Sequence, residues 1–148
     1  MLLYFLRHAD AIYEGERPLS AKGRKQMQQV SAFVKRTKIE VKGLLTSPLL
    51  RAKETAELVA PALGVTPCVS KLLDSGASLA DLQELVKQCP ADCGVMLVGH
   101  EPDFSEIIEA LTGGQVEMKK AALALVECEE VAEGAGVLRW LVAVKLMG

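Results

Sequence analysis

The sequence predicts an α/β fold. It reads as a single domain over residues 1–148, three layers α/β/α, with a mainly parallel sheet that has an antiparallel edge. Three observations carry this. Leu2-Leu3-Tyr4-Phe5-Leu6 and Val95-Met96-Leu97-Val98 are apolar runs without alternation, the pattern of strands buried on both faces. Strand and helix signals alternate through the first two-thirds of the chain, which calls for crossover connections. The C-terminal part, 121–128 and 137–146, instead reads as two strands around a Glu/Gly turn, a hairpin at one side of the sheet.

The first strand ends abruptly at Arg7-His8, and a polar loop, 9–19, follows with Asp10, Glu14, Glu16 and Arg17. Ser20 is placed to cap a helix whose buried face carries Met27, Val30 and Val34 and which should end near Lys38. Gly43-Leu44-Leu45-Thr46 is a short strand. Ser47 then reads as an N-cap with Pro48 in the first turn of a helix striped by Leu49, Ala52, Ala56, Val59 and Leu63, and Gly64 stops it. An edge strand broken by Pro67 is expected within 65–73, then a turn at Asp74-Ser75-Gly76. A short helix with Leu79, Leu82, Leu85 and Val86 ends before Pro90. The strand 94–99 ends in His100. Asp103 with Glu106 reads as a capping box for a helix with Phe104, Ile107, Ile108 and Leu111, closed by Gly113-Gly114.

Composition excludes several classes of function. Half of the residues are hydrophobic and the formal net charge is −2, so a compact core is expected and nucleic acid is not. Aromatic residues make up 4%, too few for the stacking platforms of single-strand binders. No apolar stretch approaches the roughly 20 residues that span a bilayer, and the N-terminal run lacks the layout of a signal peptide. Cys89 and Cys93 are spaced C-x3-C with no nearby histidine. They read, with Cys68 and Cys128, as incidental thiols of a protein in the reducing cytoplasm.

The chain has two histidines, and each falls one step beyond an apolar strand. Taken singly, Arg7-His8, Arg51 and His100 are ordinary surface or turn residues. If the strands are parallel neighbours, all four converge at the carboxyl edge of the sheet, where ligands of open α/β folds sit. Two guanidiniums and two imidazoles in one crevice repel one another unless an anion neutralises them, and a phosphoryl dianion matches the guanidinium fork. A neutral imidazole there can attack phosphorus. Two histidines without a carboxylate third fall short of a zinc or iron set, so no metal and no cofactor is expected.

The residues also carry a family resemblance. Leu6-Arg7-His8-Ala9 resembles the Arg-His-Gly signature of the histidine phosphatase superfamily, the phosphoglycerate-mutase-like fold. Residues 46–52 with Thr55-Ala56 resemble its Ser-Pro-x-x-Arg-Ala-x-x-Thr-Ala segment, and Gly99-His100-Glu101-Pro102 its Gly-His-x-Pro segment. Leu19-Ser20 with Gly23 is similar to the start of its first helix, preceded by Arg17 as in the SixA-type branch. The resemblance implies His8 as the phosphorylated nucleophile, Arg7, Arg51 and His100 as the phosphate pocket, and Arg17 as a further substrate contact. Ala9 stands where the family has Gly. The acidic residue that larger members use as general acid has no clear counterpart; Asp74 stands nearest in sequence context. The expected substrate is phosphohistidine on a protein, a phosphotransfer domain or phosphocarrier, because imidazole leaves more easily than an alkoxide and the short connections provide no lid. A small-molecule phosphomonoesterase and a phosphate-binding module without turnover are the alternatives.

Overall fold

A computed structural model describes residues 1–89 and 92–148; Pro90, read above as the break after the third helix, lies outside the described residues. The elements run β1 (Leu2–Arg7), α1 (Ala21–Arg36), β2 (Gly43–Thr46), α2 (Leu50–Leu63), β3 (Pro67–Val69), α3 (Leu79–Val86), β4 (Gly94–Gly99), α4 (Asp103–Thr112), β5 (Leu123–Cys128) and β6 (Gly136–Val142). They form one six-stranded sheet in the order β3-β2-β4-β1-β5-β6. β1, β2, β3 and β4 pair in parallel, and the β5–β6 hairpin joins β1 antiparallel. The fold is the α/β/α arrangement with an antiparallel edge that the strand and helix signals predict.

The apolar runs are buried on both faces because each face has its own helices. Tyr4, Leu6, Met96 and Val98 pack with Met27, Val30 and Val34 of α1 and Ala52, Ala56 and Val59 of α2. Leu3, Phe5, Val95 and Leu97 point the other way, onto Leu82 and Leu85 of α3 and Phe104, Ile107 and Ile108 of α4. The rings of Phe5 and Phe104 meet edge to face at 5.1 Å, a favoured aromatic geometry.

Register places the strand ends. Arg7 lies opposite Gly99, and Thr46 opposite Val98, so the residues after β1, β2 and β4 emerge side by side. Two backbone bonds continue the ladders past the strands: the His8 N–H donates to the Gly99 carbonyl at 3.0 Å and the Ser47 N–H to that of Val98 at 3.0 Å.

Two helix starts differ from the sequence reading. α2 begins at Leu50, with Leu49 as an N-cap that makes no side-chain bond, while Ser47 and Pro48 stay in the preceding bend. α4 begins at Asp103 behind Pro102 and has no capping box. The carboxylate of Glu101 takes over there, accepting the Ser105 N–H at 2.9 Å and the Ser105 hydroxyl. The Ser78–Asp81 capping box of α3 and the left-handed Gly113 after α4 supply the usual end signals. α1 stops at Arg36, slightly short of Lys38, and Pro67 opens the edge strand β3, the position where a missing N–H does least harm.

Ser20 caps α1 as expected, accepting the Gly23 N–H at 3.0 Å. Gly23 itself has a steric role. A Cβ there would lie 2.0 Å from the Asp10 carbonyl oxygen, so the helix can approach the loop after His8 only without a side chain. Alanine in a helix normally gains up to about 1 kcal/mol over glycine. Here Gly23→Ala is expected to lose about 1–3 kcal/mol through overpacking, measured as a lowered urea midpoint.

Candidate active site

The loop that presents His8 is held from three elements. The His8 N–H is bound to Gly99, the His8 carbonyl accepts the Ala121 N–H at 3.2 Å, and the Arg7 N–H donates to the Ala122 carbonyl at 3.1 Å. One residue on, the Ala9 N–H donates to the Thr55 hydroxyl at 3.0 Å, and that hydroxyl donates to the Arg51 carbonyl at 2.7 Å. Thr55 therefore fastens the loop after β1 to the first turn of α2, which carries Arg51. Ala9 is fully buried and is not among the residues with positive φ, so replacing glycine costs the turn no strain.

His8 and His100 are buried with ring centroids 5.4 Å apart. His8 Nδ1 lies 2.8 Å from the Ala9 carbonyl oxygen. A carbonyl only accepts, so Nδ1 carries the proton, and in the neutral ring the lone pair sits on Nε2. Nε2 has no hydrogen-bond partner among the described residues. Burial pulls the His8 imidazole down to about 3; the bond to Ala9 opposes this, and the fields of His100, Arg51 and Arg7 deepen it. His100 falls to about 4, again through burial first and Arg51 second, with Asp103 and Asp74 opposing. His100 Nε2 lies 2.7 Å from the Ser47 hydroxyl, which also accepts the Leu49 N–H at 3.2 Å.

Three buried side-chain atoms among the described residues lack a hydrogen-bond partner: Arg7 Nε, Arg51 Nε and His100 Nδ1. All belong to this one cluster. Among the described residues neither arginine forms an ion pair with a carboxylate; Arg7 Nη1 donates to the Met118 carbonyl at 3.0 Å. Buried polar atoms without partners are rare in folded chains, and here all three belong to side chains whose charges act on His8. The arrangement suits a multiply charged oxyanion.

Arg17 is near enough to Arg51 for its charge to lower the Arg51 pKa, behind desolvation. Its guanidinium lies over the Tyr13 ring at 4.2 Å, and Nε donates to the Ile12 carbonyl. Asp74 is exposed at the rim, and its field acts on both Arg51 and His100. The structure thus brings all four pocket residues together, with Arg17 and Asp74 beside them.

Sequence reasoning missed several neighbours. Ser47 reads as a helix cap but binds His100. Asp103 reads as half of a capping box, yet it is buried and accepts the Gly76 N–H at 2.8 Å, pinning the Asp74-Ser75-Gly76 turn to α4 beside His100. Lys120, 2.9 Å from Asp10, gave no signal at all. Of the cysteines, Cys93 and Cys128 are buried and Cys68 is exposed. Among the described residues no three His, Cys, Asp or Glu side chains converge as a metal site would require, and no helix is long and apolar enough to cross a membrane.

The profile of the histidine phosphatase superfamily (branch 1) matches residues 3–75, which include Arg7, His8, Arg17 and Arg51. An uncharacterised protein of Picosynechococcus sp. is 38% identical over 136 residues, covering 83% of this chain and 82% of its own length. The phosphohistidine phosphatase SixA of Escherichia coli is 28% identical over 152 residues, 95% of this chain and 92% of its own. A solved structure of the protein histidine phosphatase SixA complexed with tungstate superposes with a TM-score of 0.87 at 25% identity, each chain covered completely.

The two depressed imidazoles make a prediction about stability. Below the ordinary value of 6.5 the unfolded chain binds protons that folded His8 and His100 refuse until about 3 and about 4. Stability is therefore level above pH 6.5 from these groups and falls as the pH drops below it, by up to about 1.4 kcal/mol per pH unit for each histidine. Urea unfolding followed from pH 7 to pH 4 should show that slope, and the double variant His8→Asn/His100→Asn should flatten it.

Proposed function

The chain belongs to the histidine phosphatase superfamily, and from that premise we propose that it hydrolyses phosphohistidine on a partner protein through a covalent phosphohistidine on His8, without a metal. The observation that carries the reading is the coincidence of unpartnered cationic nitrogens with the bare Nε2 of His8. A similar structure that binds tungstate, a tetrahedral oxyanion, supports it.

In the first step His8 Nε2 attacks phosphorus and the P–N bond of the substrate breaks. The substrate ring, protonated at the nitrogen away from phosphorus, leaves as neutral imidazole with the bonding pair now a lone pair on its released nitrogen, and the phosphorylated His8 ring, keeping its proton on Nδ1, takes up the positive charge. In the second step water attacks phosphorus, the bond to Nε2 breaks, one water proton goes to the phosphate, and neutral His8 is restored. Arg7, Arg51 and His100 hold the equatorial oxygens, whose charge is what phosphoryl-transfer catalysis has to stabilise. The low proton affinity of His8 keeps its lone pair available across the neutral range. Donors of this sign serve an anion directly, where a metal site would need carboxylates.

Incubation with a phosphocarrier labelled on its histidine tests the reading. Label should pass to the wild-type chain and be lost as inorganic phosphate. His8→Ala should take up none and lose essentially all turnover, while Arg51→Ala should lose about a hundredfold or more, the scale of a deleted transition-state donor. Undiminished turnover in His8→Ala would reject the mechanism.

One observation favours a second reading, a small-molecule phosphomonoesterase. Asp74 offers a carboxyl on the rim beside Arg51 and His100, and an alkoxide leaving group needs a proton donor. Asp74→Asn separates the two. Hydrolysis of phosphohistidine is expected to change less than about threefold, because imidazole needs little help. An enzyme for alkyl phosphates would lose about 100-fold or more on them.

A further inference from the structure

A second positively charged feature adjoins the pocket and takes no part in the steps above. Beside Arg7 the surface opens into a cleft of about 340 Å³ between α1, residues 117–120 and the turn at Val144–Leu146. Arg7, Lys22, Lys119, Lys120 and Lys145 line it, against Asp10 and Glu117. This is an unusual concentration of cations for a chain whose formal net charge is −2. Asp10 is already engaged by the Ser20 hydroxyl at 2.6 Å and by Lys120 at 2.9 Å. Lys22, Lys119 and Lys145 are exposed and make no ion pair among the described residues.

The cleft adjoins the pocket through a shared residue. Arg7 belongs to both, and Lys120 reaches the loop after β1 through Asp10 and, at 3.4 Å, the hydroxyl of Tyr13. Tyr13 is 75% exposed, yet its ring is oriented, with Arg17 over its face and Lys120 near its hydroxyl. An exposed aromatic ring held in place beside a cationic surface is a common anchor of protein interfaces. A small phosphoester seated on His8 would not extend over these groups. A protein presenting a phosphohistidine would.

Resting on the reading of the site given above, we propose that the cleft lined by Lys22, Lys119, Lys120 and Lys145 docks an acidic surface flanking the phosphohistidine of the protein substrate. Complementary charge would fix the orientation of the substrate and raise the encounter rate, with the phosphoryl chemistry left to the pocket.

The test uses the full chain, two synthetic phosphohistidine peptides, one flanked by glutamates and one by lysines, and phosphoramidate as a small substrate. Wild type should show a KM at least about tenfold lower for the glutamate peptide, within the range of such electrostatic effects, and added salt should erode the difference. K22E/K145E should abolish the preference while leaving phosphoramidate turnover and the thermal midpoint unchanged; K119E is the independent second variant. Equal KM values for the two peptides in wild type would overturn the proposal. So would a parallel fall in phosphoramidate turnover, because the lysines would then serve the pocket. Binding of the unphosphorylated glutamate peptide, followed by calorimetry, reports on the cleft apart from catalysis. If wild type turns over none of the three substrates, the phosphohistidine reading fails, while binding lost in K22E/K145E still supports the cleft. A cleft that binds pyrophosphate and ignores the peptide overturns the docking proposal.

Discussion

Uncompensated positive charge on a desolvated rim is the constraint from which the rest of this molecule follows. Among the described residues Arg7 and Arg51 form no ion pair with a carboxylate, and each leaves a buried Nε without a partner. Leaving such groups unpaired costs on the order of 1–3 kcal/mol each. A fold under pressure only for stability would remove that cost with one well-placed aspartate. The charge is kept, and it acts on the two imidazoles enclosed with it. His8 stays neutral because burial and the surrounding cations both penalise a second positive charge there.

Holding such a pocket together falls to the backbone. Parallel pairing of β1, β4 and β2 brings three chain reversals to one edge, and the ladder runs one residue further at His8 and at Ser47. Across the sheet face, Thr55 ties the loop after His8 to the carbonyl of Arg51. Glycine clears the way at two points. Gly23 lets α1 meet the Asp10 carbonyl, and Gly99 lets the Phe104 ring sit where a Cβ would stand 2.7 Å from its edge. The segments with glycine or threonine in the family resemblance are thus points of close approach or anchoring, and the chemistry is left to their neighbours.

This division explains what was legible in the chain. Arg7, His8, Arg51 and His100 could be found because each follows an apolar strand, and a run of buried residues that ends in a charge marks the edge of a sheet. The layers could be read for the same reason. Ser47 was misread because Ser-Pro before a helix is a cap in isolation; the β2–β4 register delivers His100 to its hydroxyl instead, and the helix starts later. Asp103 was misread by one position. A capping box needs the acidic partner inside the helix and a capping residue before it, and Pro102 fills that place without a side-chain bond. Lys120 and Tyr13 meet across 107 residues, and neither periodicity nor local composition encodes such a contact.

A nucleophile that refuses protons until about pH 3 is also a weak base, and weak bases form weak bonds to phosphorus. In the proposed reaction the substrate imidazole, with an ordinary value near 6.5, would hold its phosphoryl group more firmly than His8 if the empty pocket were the whole account. The pocket changes when the phosphoryl group arrives. In the proposed complex its negative oxygens would offset the fields of Arg7 and Arg51, which help to depress His8 in the empty site. On this mechanism the basicity of Nε2 toward phosphorus would rise as the anion is bound and fall again when phosphate leaves. Desolvation, the larger cause of the depression, would remain throughout and keep the proposed phosphoenzyme bond labile to water. In the proposed cycle one arrangement of charge would thus serve both halves: it would stabilise the phosphoryl group on His8 for transfer, and burial would keep that stabilisation from becoming a trap.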